Sequence, residues 1–388
     1  MIDYDKPILN KKGEPLKLLE AGAHHCIRCI KKTRALRKIG YETHGMGDKV
    51  AYGTDEYKTY MVWQNEAQFK EAISIYANHI GVDVITWDNE PDFPVKWIRE
   101  VVGKKIPIIT DLHDLDSIRK GFIPKDERYM FNNSDGLIYV SLPIQEMTNE
   151  LHDNNKPNIC LYSYCNEGIV EFDEKEIPNR RGLVYQGGAN PPNDDVQNQM
   201  FAYRYLYDIL KKLVECGNEL HMYCGNMSAF DTYQNIGAVV HPPTMYDKMM
   251  NELTQYKYGV AIFNNEDGKK DQVNYTLTNK EFEYLQAGLP VISCWTYETM
   301  KHIDKHKIGF TFDNIDQIGD CSSFESKYPS IMQNIMKKRK ELVMENFIWR
   351  LENLYAKVLG VSKKGIPKNI KDINVFEYGK RDVESLLK

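Results

Sequence analysis

The chain has 388 residues, 42% of them hydrophobic, which is enough to build two cores and predicts two domains. A net charge of −5 argues against a surface that coats nucleic acid generally. No apolar run reaches the roughly 18 residues of a membrane span, the opening MIDYDKPILNKKGE has no signal-peptide core, and eight scattered cysteines fit reduced thiols, so a soluble cytoplasmic protein is expected.

Leu16 to Glu20 reads as a short buried strand, Ala21-Gly22-Ala23 as a turn, and His25 to Ile39 as a helix closed by Gly40. Strand, glycine turn and helix open a Rossmann-like sheet, although one glycine is far short of a dinucleotide fingerprint. The helix carries Cys26-Ile27-Arg28-Cys29 just after His24-His25. A metal reading fails on ligand count, because no second C-x-x-C pair exists and Cys160 and Cys165 have the wrong spacing; structural or incidental thiols are expected. Arg28, Lys31, Lys32, Arg34, Arg37 and Lys38 follow with no acid among them, which predicts a solvated helix face. The sharper alternative is a surface that steers an anionic acceptor or touches an acidic membrane.

Asp83 to Trp87, Ile106 to Asp111, Leu137 to Ser141 and Ile159 to Tyr164 are short apolar or β-branched runs separated by helical or polar segments. That alternation predicts a mostly parallel sheet with helices on both faces and ligands beyond the carboxyl ends of the strands. Ile106 to Asp116 runs into Asp111, His113, Asp114 and Asp116. Such a set suits a divalent metal, or else Asp114 or Asp116 caps the next helix and His113 is a polar loop residue.

The charged stretch Glu171 to Arg181, with Pro178, reads as a linker. Leu183-Val184-Tyr185 starts a second sheet and leads into Gln186-Gly187-Gly188-Ala189-Asn190-Pro191-Pro192, whose glycines can bring backbone amides to a phosphate. A helix from Val196 to Cys216 and strands at Glu219 to Cys224, Ala238 to Val240 and Tyr258 to Phe263 follow. Thr278 with Glu281 forms a capping-box pattern, so a helix is expected from Asn279, ended by Ala287-Gly288 and Pro290 ahead of the buried strand Leu289 to Ser293. Its N-terminus suits a diphosphate, and Lys280 and Glu283 project from one face, a cation beside an acceptor for hydroxyls. Tyr328 to Leu359 reads as helical, with the basic turn Lys337-Lys338-Arg339-Lys340 and apolar residues at helical spacing.

The stretch Asn279 to Ile292, NKEFEYLQAGLPVI, resembles the motif of glycosyltransferase family 4, in which an Asn-Lys pair leads into Glu-Tyr and then Gly-x-Pro-Val-Ile. The resemblance implies an α/β protein of the GT-B fold, two Rossmann-like doubly wound domains facing across a cleft with a C-terminal helix crossing back. It places the acceptor-side domain at residues 1–172, a linker at 173–181, the nucleotide-sugar domain at 182–345, and the returning helix and tail at 346–388. The implied activity is retaining transfer from a nucleotide diphosphate sugar to a hydroxyl acceptor, a glycan, a lipid-linked molecule or another, in polysaccharide or glycoconjugate synthesis. No cofactor and no metal are implied, and a membrane-linked acceptor would bring the protein to the inner membrane face.

By the same resemblance Glu283 holds the ribose, and Gly187, Gly188, Thr278, Asn279 and Lys280 hold the donor diphosphate and sugar. Lys280 and His113 are the catalytic groups, His113 reaching the donor sugar from the opposite domain so that closure excludes water. Glu127-Arg128 and the run Asp135 to Ser141 follow His113 in family order, whereas Asp114-x-Asp116 only superficially resembles the metal motif of the other main glycosyltransferase fold. A front-face retaining route needs no protein nucleophile. The chain departs from the family at three places: Glu167 intervenes in Asn166-Glu167-Gly168, the loop after Tyr185 has neither arginine nor lysine, and the first member of the glutamate pair falls on Tyr275. The cationic role then passes to Lys280 or to Lys269-Lys270, while Glu266, Asp267 and Asp271 lie near the missing acid. These departures motivate the alternative of a non-catalytic partner subunit; a nucleotide-sugar epimerase or a nucleobase glucosyltransferase would share the scaffold.

Overall fold

The computed structural model describes residues 4–23, 25–88, 90–191 and 201–367. The chain divides into two compact units: the described residues up to Asn166 together with those from Met344 onward, and Glu167–Val343.

The first unit holds seven parallel strands: β1 (Lys17–Gly22), β2 (Glu42–Gly47), β3 (Tyr60–Val62), β4 (Val84–Asp88), β5 (Ile108–Leu112), β6 (Gly136–Tyr139) and β7 (Asn158–Cys160). Their order is β3-β2-β1-β4-β5-β6-β7, so the sheet reverses direction of winding between β1 and β4, where a doubly wound sheet opens its crevice. Both faces are covered, which is why β4 and β5 are buried at every position and read as short, mostly apolar or β-branched runs, VITWD and IITDL. The register pairs Gly22 with Asp88 and Asp88 with Asp111, bringing acidic residues to adjacent carboxyl ends.

The second unit has six parallel strands: β8 (Arg181–Gln186), β9 (Leu220–Tyr223), β10 (Val239–His241), β11 (Tyr256–Val260), β12 (Val291–Cys294) and β13 (Gly309–Phe312). The order β10-β9-β8-β11-β12-β13 repeats the same winding and puts its switch point between β8 and β11. Each predicted strand of this region is present within a few residues, whereas the sequence did not announce β2, β3 and β13. The helix expected from Val196 to Cys216 is shorter: residues 192–200 lie outside those described, 201–204 form a tight 3₁₀ turn, and the α-helix is Tyr207–Glu215.

The expected C-terminal helix is three pieces. Tyr328–Glu341 belongs to the second unit, and Met344–Phe347 and Trp349–Leu359 belong to the first. Trp349–Leu359 is buried along most of its length, with Arg350 donating to the Cys160 carbonyl at 2.8 Å and Leu354 closing on Gly136.

Candidate functional site

In the second unit the helix Asn279–Gln286 starts at Thr278 and ends through Gly288 at φ 72°, as the Ala-Gly-x-Pro pattern requires. The capping box does not form. The Thr278 side chain makes no cap bond, and its backbone N–H donates to Thr299 Oγ1 at 3.2 Å. Glu281 turns away to a short hydrogen bond with His302. Burial pushes Glu281 up and His302 down to about 3, which makes this a neutral buried contact. Thr278 Oγ1 is left buried without a partner among the described residues.

Lys280 and Glu283 lie at the end of β8. Tyr284 anchors this arrangement: its hydroxyl accepts from the Gln186 N–H at 2.9 Å and donates to the Val260 carbonyl at 3.2 Å, tying the helix to both strands at the switch point. Gly259 makes room for the ring, since a Cβ there would fall 2.2 Å from Tyr284 Cγ. Glu283 accepts a short hydrogen bond from Gln186 Nε2. The Lys280 ammonium lies 4.4 Å from the Phe263 ring centre and 5.2 Å from that of Tyr185, and forms no ion pair among the described residues. Burial, then the charge of Arg204, lowers its pKa to about 7, with Glu283 opposing.

The turn after β8 packs directly on these cations. A Cβ at Gly187, where φ is 129°, would fall 2.9 Å from Lys280 Cε and 3.0 Å from its Nζ; one at Gly188 would fall 3.0 Å from an Arg204 guanidinium nitrogen. The Gly187 N–H donates to the Tyr223 carbonyl at 3.0 Å, so of the two glycine amides expected to meet phosphate that of Gly187 is already engaged. Lys269 and Lys270 are not part of this cluster; Lys270 pairs with Asp267 at 3.4 Å on their own loop.

The first unit holds a buried charge network at the carboxyl ends of its strands. Lys32 Nζ contacts Glu20 at 3.0 Å, Asp88 at 2.8 Å and Asp111 at 2.7 Å, and Arg28 reaches Asp111 at 3.1 Å and Ser163 Oγ at 3.1 Å. Lys31 donates to the Ser163 carbonyl. Arg28, Lys31 and Lys32 are at most 1% exposed, which overturns the solvated basic face and its membrane-contact variant for these residues. Burial pushes Glu20 up to about 8 against the pull of Lys32, while Arg28 and Lys32 overcome burial and hold Asp111 well below the usual carboxylate range.

His113 follows β5, with Nε2 3.6 Å from Asp111 and Nδ1 3.7 Å from Cys26 Sγ. Burial opposes its charge, but Cys26 and Asp111 prevail and raise it to about 10. Asp88, Asp111 and His113 bring ligand atoms within 4.8 Å of one another. They do not fit a divalent ion, because the Lys32 ammonium already sits between the two carboxylates and Arg28 adds a second cation. Asp114 and Asp116 pair instead with Arg119 at 2.5 Å and Lys120 at 2.6 Å, and Leu115 occupies the N-cap. Glu127 is buried under His152 and the Ser117 amide.

A family model described as Glucosyltransferase 3-like, C-terminal domain, matches residues 206–352. No curated protein matches the chain by sequence. Among solved structures, sucrose-phosphate synthase from Thermosynechococcus elongatus aligns with a TM-score of 0.65 at 10% identity, over 89% of this chain and 100% of that one. HepE of Anabaena in complex with UDP and glucose aligns with a TM-score of 0.64 at 11% identity, over 89% and 99%. A structure from Listeria monocytogenes described as a UDP-N-acetylglucosamine 2-epimerase gives 0.60 at 10% identity, over 90% and 98%. This chain has the GT-B fold.

Within the second GT-B unit the structure gathers Gly187, Gly188, Lys280 and Glu283, with Thr278 and Asn279 at the start of the same helix. Two residues of the cluster were missed in the sequence. Gln186 ends β8 and holds Glu283. Arg204 follows the undescribed 192–200 segment, and its guanidinium lies 5.3 and 5.5 Å from the Phe201 and Tyr203 rings. Only its position after a glycine turn could have marked it, since spacing alone does not bring residue 204 back to residue 188.

Proposed function

We propose that the chain is a glycosyltransferase that moves a sugar from a UDP-sugar to a hydroxyl acceptor with retention of configuration. The observation that carries this reading is the meeting of Lys280, Arg204 and Glu283 at the Gly187-Gly188 turn. The two cations form no ion pair among the described residues and lie beside a helix N-terminus, which is a receptor for a diphosphate. The match to a glucosyltransferase C-terminal domain over residues 206–352 covers Lys280 and Glu283 and supports a sugar-nucleotide role for this unit. The choice of uridine rests on HepE, whose structure contains UDP.

In this reading Lys280, Arg204 and the Gly188 amide hold the diphosphate, and Glu283, fixed by Gln186, accepts from the ribose hydroxyls. Negative charge grows on the departing diphosphate, so cations placed there stabilise the transition state more than the ground state. On the first unit the proposed catalytic group is His113, kept as an imidazolium by Cys26 and Asp111. No metal takes part. The test is transfer from UDP-glucose and related donors to a panel of hydroxyl acceptors, with the anomeric configuration of the product read by NMR; an inverted product removes the retaining mechanism.

The likeness to the epimerase structure, over 90% of this chain, favours a second reading in which a UDP-sugar is converted without an acceptor. Product analysis with donor alone against donor plus acceptor separates the two. A new sugar nucleotide from donor alone selects the epimerase.

A further inference from the structure

We propose that Cys26 and Cys29 form a thiol–disulfide exchange site for small disulfides, with Cys26 the attacking sulfur and Cys29 the resolving one. Their Sγ atoms are 3.6 Å apart, and His113 Nδ1 stands 3.7 Å from Cys26 Sγ. Cys26 is the N-cap of the 13-residue helix Ile27–Ile39 and makes no capping bond with its side chain, so its sulfur lies at the positive end of the helix. The burial is asymmetric in the way exchange requires: Cys26 is half-buried, while Cys29 is buried. The hydrogen bond from Cys29, aided by His113, holds the Cys26 thiol well below its ordinary value against burial, and burial holds Cys29 well above.

The chemistry balances with a small disulfide as oxidant. The Cys26 thiolate attacks one sulfur of the disulfide, forms a mixed disulfide and expels a thiolate, which takes the proton held on His113. Cys29 then gives its proton to the second leaving sulfur and attacks Cys26 Sγ, breaking the mixed disulfide and closing the Cys26–Cys29 bond. The protein dithiol loses two electrons, and the small disulfide becomes two thiols. Closure needs the two sulfurs to move from 3.6 Å to about 2.0 Å, a shift available to a pair at one helix end. Oxidation removes the anion beside His113 and leaves it Asp111 alone.

The test treats the reduced, full-length protein with oxidised glutathione and maps its peptides by mass. The expected result is a Cys26–Cys29 disulfide with no glutathione retained. In Cys29→Ala one glutathione should stay on Cys26, attached at least about tenfold faster than to the exposed Cys216, and Cys26→Ala should show neither product. If Cys29→Ala does not fold, limiting oxidant on the unaltered chain decides the matter, because a Cys26 adduct must precede the internal disulfide. Modification confined to Cys216 overturns the proposal. So does Cys26 labelling no faster than Cys216 with no internal disulfide, or reactivity that appears only after a chelator, which would make the pair a metal site. None of these readouts depends on sugar transfer, so the exchange site and the donor reading fail separately.

Discussion

Lys280 lies over the Phe263 and Tyr185 rings and forms no ion pair among the described residues, so its protonation controls the proposed donor site. Its pKa of about 7 lies far below that of an exposed lysine, because burial and Arg204 disfavour the charge. A bound diphosphate would restore the charge, so above pH 7 binding must take up a proton. UDP affinity is therefore expected to fall as pH rises from 7 to 9, by no more than about tenfold per pH unit, and calorimetry should find the dependence gone in Lys280→Met. The sign for stability is the reverse: above pH 7 the unfolded chain holds the proton that the folded chain has lost, so this group makes folding more favourable as pH rises. Lys280→Ala and Arg204→Ala should each lower kcat by about 10²–10³ if leaving-group charge is their business. Glu283→Ala should instead weaken donor binding with little change in the melting temperature, and unchanged affinity would remove Glu283 from the site.

At the scale of elements, the turn after β8 and the helix Asn279–Gln286 act as one device, held by Tyr284 and by glycines with no room for a side chain. Gly187→Ala would put a methyl 2.9 Å from Lys280 Cε at a φ of 129°. It is expected to displace the ammonium and cost at least tenfold in UDP affinity, as titration calorimetry would show, while circular dichroism stays unchanged. The helix was legible because its punctuation is local: a left-handed glycine and a following proline stop it whatever surrounds it. The capping box was not, because Thr278 and Glu281 chose partners on the neighbouring helix. Strands β2 and β3 escaped notice for a related reason. β2 reads ETHGMG, without an apolar run, and its glycines are there to seat rings: a Cβ at Gly45 would fall 2.6 Å from the Tyr57 ring and one at Gly47 2.2 Å from the Tyr60 hydroxyl. The basic helix was misread because its carboxylates come from β1, β4 and β5, and nothing local announces an ion network assembled from four elements.

For the whole molecule, two sheets wound in the same order place the two clusters at equivalent addresses, each at its own switch point. That address was readable from the alternation of apolar runs; the chemistry gathered there was read only in part. The clusters also differ in kind: the first is a buried charge network, while in the second Lys280 and Arg204 form no ion pair among the described residues. Lys32→Met should therefore take the cation from Glu20 and Asp88, leaving Asp111 to Arg28, and cost the first unit about 3–5 kcal/mol in urea unfolding, while UDP affinity holds. The most direct test of the donor site is a thermal-shift comparison of the unaltered protein and Lys280→Met with UDP, GDP, ADP, dTDP and CDP, with and without magnesium. A ligand that binds only the folded state must raise the melting temperature. UDP is expected to stabilise the unaltered protein without magnesium and to give a clearly smaller shift in Lys280→Met. If all five nucleotides left the melting temperature unmoved, the account would be contradicted in favour of a non-catalytic partner subunit, and stabilisation only with magnesium would contradict the metal-free site.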